Sequence, residues 1–227
     1  MGAAVAGGLL ACSATGCSAR IEGRATPADH DGPRPVPAAA LHGALLDTRT
    51  INDIMGASGM GVRDAGTRLF SGVTQFTDPA CMPAWTPAEE TAYAGTDWTS
   101  AFTQSLLETP VNPDHFVIQA VVRFPSRESA SGFFDRSAEQ WPKCAERTFD
   151  TRADDGQPGA SWQFDVVRNA DSTLWMTQTQ NDSPGWGCQR ALRVSRNVAI
   201  DVLACKFYAT DEAVTIAHGI DARLPSV

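Results

Sequence analysis

The sequence predicts an α+β fold, a central antiparallel sheet with flanking helices, braced by two disulfides. Three observations predict it. Residues 187–194 and 198–205 are two apolar runs around the polar break Ser195-Arg196-Asn197, each with a cysteine equally far from the break. Residues 126–145 repeat apolar side chains at helical spacing. Helices and hairpin strands alternate without the strand-helix-strand rhythm of a parallel sheet.

The elements follow in chain order. Residues 50–55 read as a short helix with Thr50 as N-cap, stopped by Gly56. The glycine-rich stretch 56–61 has neither the P-loop nor the dinucleotide-binding spacing and reads as a turn. Residues 62–76 carry a strand with polar interruptions. Asp78-Pro79 opens a turn, and Thr86-Pro87-Ala88-Glu89 opens a helix with Thr86 as N-cap. Strands follow at 98–107 and 116–124, the second rich in Val and Ile. Ser126 caps the longest helix, whose stripe is Ala130, Phe133, Phe134, Ala138, Trp141 and Cys144, with Pro142 distorting its last turn. Strands at 162–168 and 173–180 precede the cystine hairpin. Thr210 caps a final helix that points Val214, Ala217 and Ile220 inward and ends before Pro225.

The hairpin register can be counted. If Arg196-Asn197 forms a two-residue turn, with Asn accepting positive φ, then Ser195 faces Val198. Seven residues further out on each side stand Cys188 and Cys205, directly opposite each other. They fall on a non-hydrogen-bonded pair, where Cα atoms lie about 4.5 Å apart, within disulfide reach. Cys81 and Cys144 are then left to pair. In the chain-entropy model that bond contributes about 4 kcal/mol and the hairpin bond about 3 kcal/mol. No C-x-x-C spacing occurs and the four histidines stand apart, so no metal site is expected.

The N-terminal region has a different composition. Residues 1–16 are apolar or small, uncharged, and resemble a lipoprotein-type export signal. No Lys or Arg precedes the apolar stretch, which leaves a weak signal and a start upstream of Met1 both open. Ala14-Thr15-Gly16-Cys17 and Leu9-Leu10-Ala11-Cys12 both resemble the site that receives a lipid. Leu9 favours Cys12. Parity favours Cys17, because cleavage there leaves one lipidated thiol and four that pair. We take Cys17, with Cys12 as the alternative. Residues 17–40, with Pro27, Pro33, Pro35 and Pro37, read as a disordered tether, and residues 41–227 as the domain.

Charge excludes one class of partner. The net charge is -8 with a pI near 4.9, and no basic stripe overrides it, so nucleic acid is not expected. No apolar run is long enough for a membrane-spanning helix. Membrane association is expected through the lipid anchor alone, from an extracytoplasmic position.

No catalytic constellation is legible: there is no nucleophile elbow, and no cysteine is spare for chemistry. Polar residues inside strands are more suggestive. Gln119 interrupts an apolar run, Gln178 and Gln180 end the strand at 173–180, Arg190 sits in the cystine hairpin, and Trp186 and Trp85, two of six tryptophans, adjoin Pro or Gly in turns where they could rim a groove. Arg190 lies diagonal to Asp201 in the counted register, which makes structural pairing the plainer explanation. The sharper reading places Gln119, Gln178, Arg190 and Trp186 in a cleft that orients a ligand.

Six stretches, in order, resemble the PknH-like extracellular domain: DPACMPAW (78–85), YAGTDW (93–98), FVIQAVVRFPS (116–126), QWPKCAERT (140–148), GWGCQRALRV (185–194) and NVAIDVLAC (197–205). The likeness includes all four domain cysteines, and the first residues after Cys17 are similar to mature lipoproteins of this group. The resemblance implies a receptor-type sensor domain: an α+β body with two disulfides, a cleft suspected of binding ligand, and no transferable catalytic residues or cofactor. With no kinase motifs in the chain, sensing is expected to pass through a partner or to consist of capturing an unknown small molecule or envelope component. An envelope hydrolase using cleft carboxylates and a structural surface lipoprotein are the alternatives.

Overall fold

The computed structural model describes residues 34–71, 76–108, 113–152 and 158–225. The signal segment, Cys12 and Cys17 lie outside them. Nine antiparallel strands form one sheet: β1 (Gly61–Gly66), β2 (Ser100–Leu107), β3 (His115–Arg123), β4 (Thr148–Arg152), β5 (Pro158–Phe164), β6 (Arg168–Ala170), β7 (Thr173–Gln180), β8 (Trp186–Ser195) and β9 (Val198–Phe207). Their spatial order is β1-β2-β3-β9-β8-β7-β5-β4, with β6 alongside β7. The helices are α1 (Leu41–Ala44), α2 (Thr48–Met55), α3 (Met82–Trp85), α4 (Glu90–Tyr93), α5 (Arg127–Gln140) and α6 (Glu212–Arg223).

Strand alternation divides the interior into two cores. On one face Ile118, Ala120, Val122, Leu192, Leu203 and Met176 pack under α3, α4 and α5. On the other Val117, Val121, Ala191, Ile200 and Val202 pack under α1, α2 and α6. Central strands buried on both sides explain why the middle stretches of β3 and β9 are apolar on both faces apart from Gln119 and Asp201.

The predicted register is the observed one: Ser195 faces Val198 and Cys188 faces Cys205. The disulfides are Cys188–Cys205 and Cys81–Cys144. The turn differs in one detail. Arg196, not Asn197, takes the positive φ (54°). Asn197 is instead committed to tertiary bonds: its Oδ1 accepts from the Val36 amide (2.7 Å) and its Nδ2 donates to the Phe124 carbonyl (2.8 Å).

Those bonds also move the start of the packed body. The composition ends the tether at residue 40, yet Val36 is fully buried, and its carbonyl accepts from Arg123 Nε (2.7 Å). One buried valine anchors a stretch whose prolines and alanines otherwise read as linker.

Other boundaries shift for local reasons. α2 starts at Thr48 because Asp47, not Thr50, supplies the cap, its carboxylate accepting from the Thr50 amide (2.9 Å); Gly56 ends the helix at φ 68°. Thr86 closes α3 in an extended conformation and does not start the next helix, which Glu89 precedes. Thr210 is likewise not the cap of α6: its amide donates to Glu212 Oε2 (2.7 Å). The buried stripe of α6 is Ala213, Ile216, Ala217 and Ile220, with Val214 at its margin. Ser126 does cap α5, and past Gln140 the chain tightens into a 3₁₀ turn, Trp141–Cys144, at Pro142. β1 ends at Gly66, and β4 is a short edge strand absent from the sequence reading.

Candidate functional site

The sheet separates the polar residues that sequence analysis put in one cleft. Gln119 points to the face covered by α1, α2 and α6. It is fully buried and treats Leu46 as a strand neighbour would: Oε1 accepts from the Leu46 amide (3.0 Å) and Nε2 donates to the Leu46 carbonyl (2.8 Å). Gln178 and Arg190 lie on the opposite face. Gln178 Nε2 donates to the carbonyls of Ala84 (2.7 Å) and Trp85 (3.0 Å).

Arg190 is 2% exposed and stands 2.5 Å from Asp201 Oδ1. Its guanidinium also donates to the carbonyls of Ala191 and Val202 and lies over the Trp141 ring, 4.8 Å from the centroid. Asp201 Oδ2 accepts from the Ala88 amide (2.8 Å) and the Tyr93 hydroxyl (2.9 Å). Burial, with the Asp201 carboxylate beside it, raises the Tyr93 pKa well above the usual phenol value. Each of these buried polar groups fastens a loop to the sheet, as the general rule for buried polar atoms requires. Gln119, Gln178 and Arg190 therefore do not line a common cleft.

Trp186 is different. At the first residue of β8 it faces Phe207 at the last residue of β9, their rings edge to face with centroids 5.3 Å apart. The pair lies two residues beyond Cys188–Cys205 on the same strands, so the disulfide stiffens the sheet directly behind it. Gln180, Ser183, Pro113 and Asp114 complete a trough of about 370 Å³ around the two rings. Phe207 is 45% exposed and forms an aromatic lip, and Tyr208, next in the chain, is 79% exposed. Gly185 leaves the room that Tyr208 occupies. Its φ is 86°, and a Cβ there would meet the Tyr208 ring at 2.9 Å.

Residues 36–223 match the family model of the PknH-like extracellular domain. The chain belongs to that family. It is 34% identical over 188 residues to the serine/threonine-protein kinase PknH of Mycobacterium bovis, and equally to that of Mycobacterium tuberculosis, covering 83% of this chain. The chain spans only about 31% and 30% of the length of those kinases. The crystal structure of the extracellular domain of PknH from Mycobacterium tuberculosis superposes with a TM-score of 0.80 at 33% identity, over 85% of this chain and 98% of that one. The similarity therefore falls on the extracellular domain and not on the kinase domain.

Within this PknH-like domain, Trp85 is part of the core, stacked on Phe76 (5.0 Å) and edge-on to Trp162 (4.9 Å), and does not rim a groove. Among the described residues, no three His, Cys, Asp or Glu side chains are grouped to hold a metal ion. His42 packs on Phe102 (4.6 Å) and His115 contacts Glu108. Phe207, Tyr208 and Asp114 went unnoticed in the sequence. The signal existed: the count that sets Cys188 against Cys205 sets Trp186 against Phe207 two steps further out.

Proposed function

We propose that this chain is an extracytoplasmic, non-catalytic binding or sensing module that captures a sugar-bearing envelope component in the Trp186–Phe207 trough, held at the membrane by a lipid on Cys17, with Cys12 the alternative. The carrying observation is an aromatic pair, Phe207 exposed and Trp186 half-buried, on a rigid, disulfide-backed sheet end, rimmed by an amide and a carboxylate. Sugar rings have apolar faces that lie on aromatic rings and hydroxylated edges that bond to groups such as Gln180 and Asp114. Membership in a family of extracellular domains, with cystines that form in oxidising compartments, supports the location.

Native mass spectrometry against envelope glycan and lipid extracts tests the binding. A glycan adduct is expected on the wild type and is expected to vanish in Trp186→Ala, which should stay folded but melt a few degrees lower, because the half-buried ring also packs against the core. An adduct that persists in Trp186→Ala, or no adduct from either extract, rejects the trough as the site. A mature N-terminal peptide without a lipid mass rejects the anchor.

A further inference from the structure

A second depression lies at the other end of the strands, between residues 127–135 of α5 and two tight turns, one joining β6 to β7 and one joining β8 to β9. It encloses about 370 Å³, and its wall is unusually rich in donors: Arg127, Arg193 and Arg196 with Ser131, Ser172 and Ser195. Two of the arginines are fixed in place. Arg193 is held by Asp221 (Nε to Oδ2, 2.8 Å; Nη2 to Oδ2, 2.7 Å) and donates through Nη1 to the Asp171 carbonyl and Thr173 Oγ1. Arg196 Nη1 donates to the Pro225 carbonyl (2.5 Å), which leaves Nε and Nη2 without a bond to the described residues.

The remaining donors are unclaimed. The Arg127 guanidinium and the hydroxyls of Ser131, Ser172 and Ser195 make no side-chain hydrogen bond to the described residues, and Arg127 is exposed. Asp135 is the one acid in the wall; with Asp221 behind Arg193 it leaves the depression with positive charge, in a chain whose net charge is -8. The turns are also held in an unusual way. Asp171, Ser172 and Arg196 adopt φ of 49°, 57° and 54°, conformations that glycine takes more easily, yet serine and arginine occupy two of them and bring donors to the wall.

We propose that this depression binds a phosphate-monoester group. Arginine forks and hydroxyls are the donors that recognise phosphoryl oxygens, and arginine does so with two bonds at once. Here the donors come from three separate elements, which suits an anion with three free oxygens better than a planar carboxylate with two. The volume exceeds what a phosphate ion fills and leaves room for the group that carries it.

Isothermal titration of the full chain with inorganic phosphate, against acetate and chloride at equal ionic strength, tests the chemistry. Co-sedimentation with phosphatidylcholine vesicles, with and without phosphatidic acid, tests a lipid headgroup as the source. Saturable phosphate binding, or co-sedimentation that requires phosphatidic acid, is expected, with at least a tenfold loss in Arg127→Ala. That variant should melt like the wild type, since its side chain has no partner among the described residues to lose. Ser131→Ala with Ser195→Ala is a second variant that changes no charge and should also weaken binding. The phosphate arm alone assigns a soluble ligand, and the vesicle arm alone a membrane one; either upholds the site. Binding no stronger than chloride or acetate in the first arm, together with none in the second, overturns it. Equal binding by Arg127→Ala overturns it as well.

Discussion

The two faces of the sheet hold their helices by different chemistry. On the face under α3, α4 and α5 an ionic and a covalent fastening join the Gln178 amide: Arg190 and Asp201 bury opposite charges, and Cys81–Cys144 ties the residue before α3 to the 3₁₀ turn after α5. On the face under α1, α2 and α6 the most deeply buried fastenings are neutral, and the ion pairs Arg193–Asp221, Lys206–Glu212 and Arg223–Asp47 stand at its more exposed margin. Gln119 clasps Leu46, Asn197 clasps Val36, and Gln189 accepts from the Val214 amide (3.0 Å) while donating to the Thr210 carbonyl. Amides reproduce backbone pairing and leave no charge to desolvate. A buried ion pair must offset a large desolvation cost with geometry and extra hydrogen bonds, so losing one partner is far more damaging than the pair's net worth.

The largest effect follows from that asymmetry. Arg190→Ala leaves Asp201 buried and four carbonyl contacts unmet, and should cost about 3–5 kcal/mol in urea unfolding. Hydrogen exchange should accelerate first in residues 82–93, which the pair holds, and only later in residues 41–55. Adding Asp201→Ala should recover part of the loss, because no lone charge remains. A cost under about 1 kcal/mol, or exchange that rises equally on both faces, would show that the ionic fastening is not local.

Gln119→Ala should cost less, about 1–3 kcal/mol, since it leaves the Leu46 amide and carbonyl unpaired without stranding a charge. Here the exchange pattern should invert, with the α1–α2 segment opening first. Binding in the Trp186 trough, on the other face, should survive. Loss of binding in a stably folded Gln119→Ala protein would return that residue to the functional site.

Why the sequence showed one part of this molecule and hid another can be traced to particular residues. The hairpin was countable because a polar break, two apolar runs and two cysteines all fix the same register. The end of α5 was visible because Pro142 has one local consequence. The roles of Gln119 and Gln178 were hidden, because a buried amide interrupts an apolar strand identically whether it meets a ligand or a loop. Thr86-Pro87 misled for a tertiary reason. Its capping pattern is sound locally, but the Ala88 amide is drawn to Asp201, and Ala88 takes φ 54°, which delays the helix to Glu90. Val36 was hidden because a single anchoring residue has no periodicity to detect.

The smallest effect separates the faces by pH. Glu89 is 2% exposed, its Oε1 has no partner among the described residues, and burial, with Glu90 beside it, raises its pKa from 4.5 to about 7. A carboxyl that holds its proton more tightly folded than unfolded favours the folded state below the unfolded value. That contribution is lost as pH rises from about 4.5 through about 7, where the buried group must ionise. Glutamine keeps the neutral shape and does not titrate. Glu89→Gln should therefore match the wild type near pH 4 and exceed it above pH 7 by about 1–2 kcal/mol, after allowance for solvent near the group. The buried amides of the other face add no slope in this range, since they carry no proton, and Asp47 at its margin is held well below the usual carboxylate range by its hydrogen bond from Arg223 and stays ionised there. Urea midpoints measured for both proteins across this range decide it: parallel curves would mean that Glu89 reaches water when charged, and that the pH response of this domain originates elsewhere.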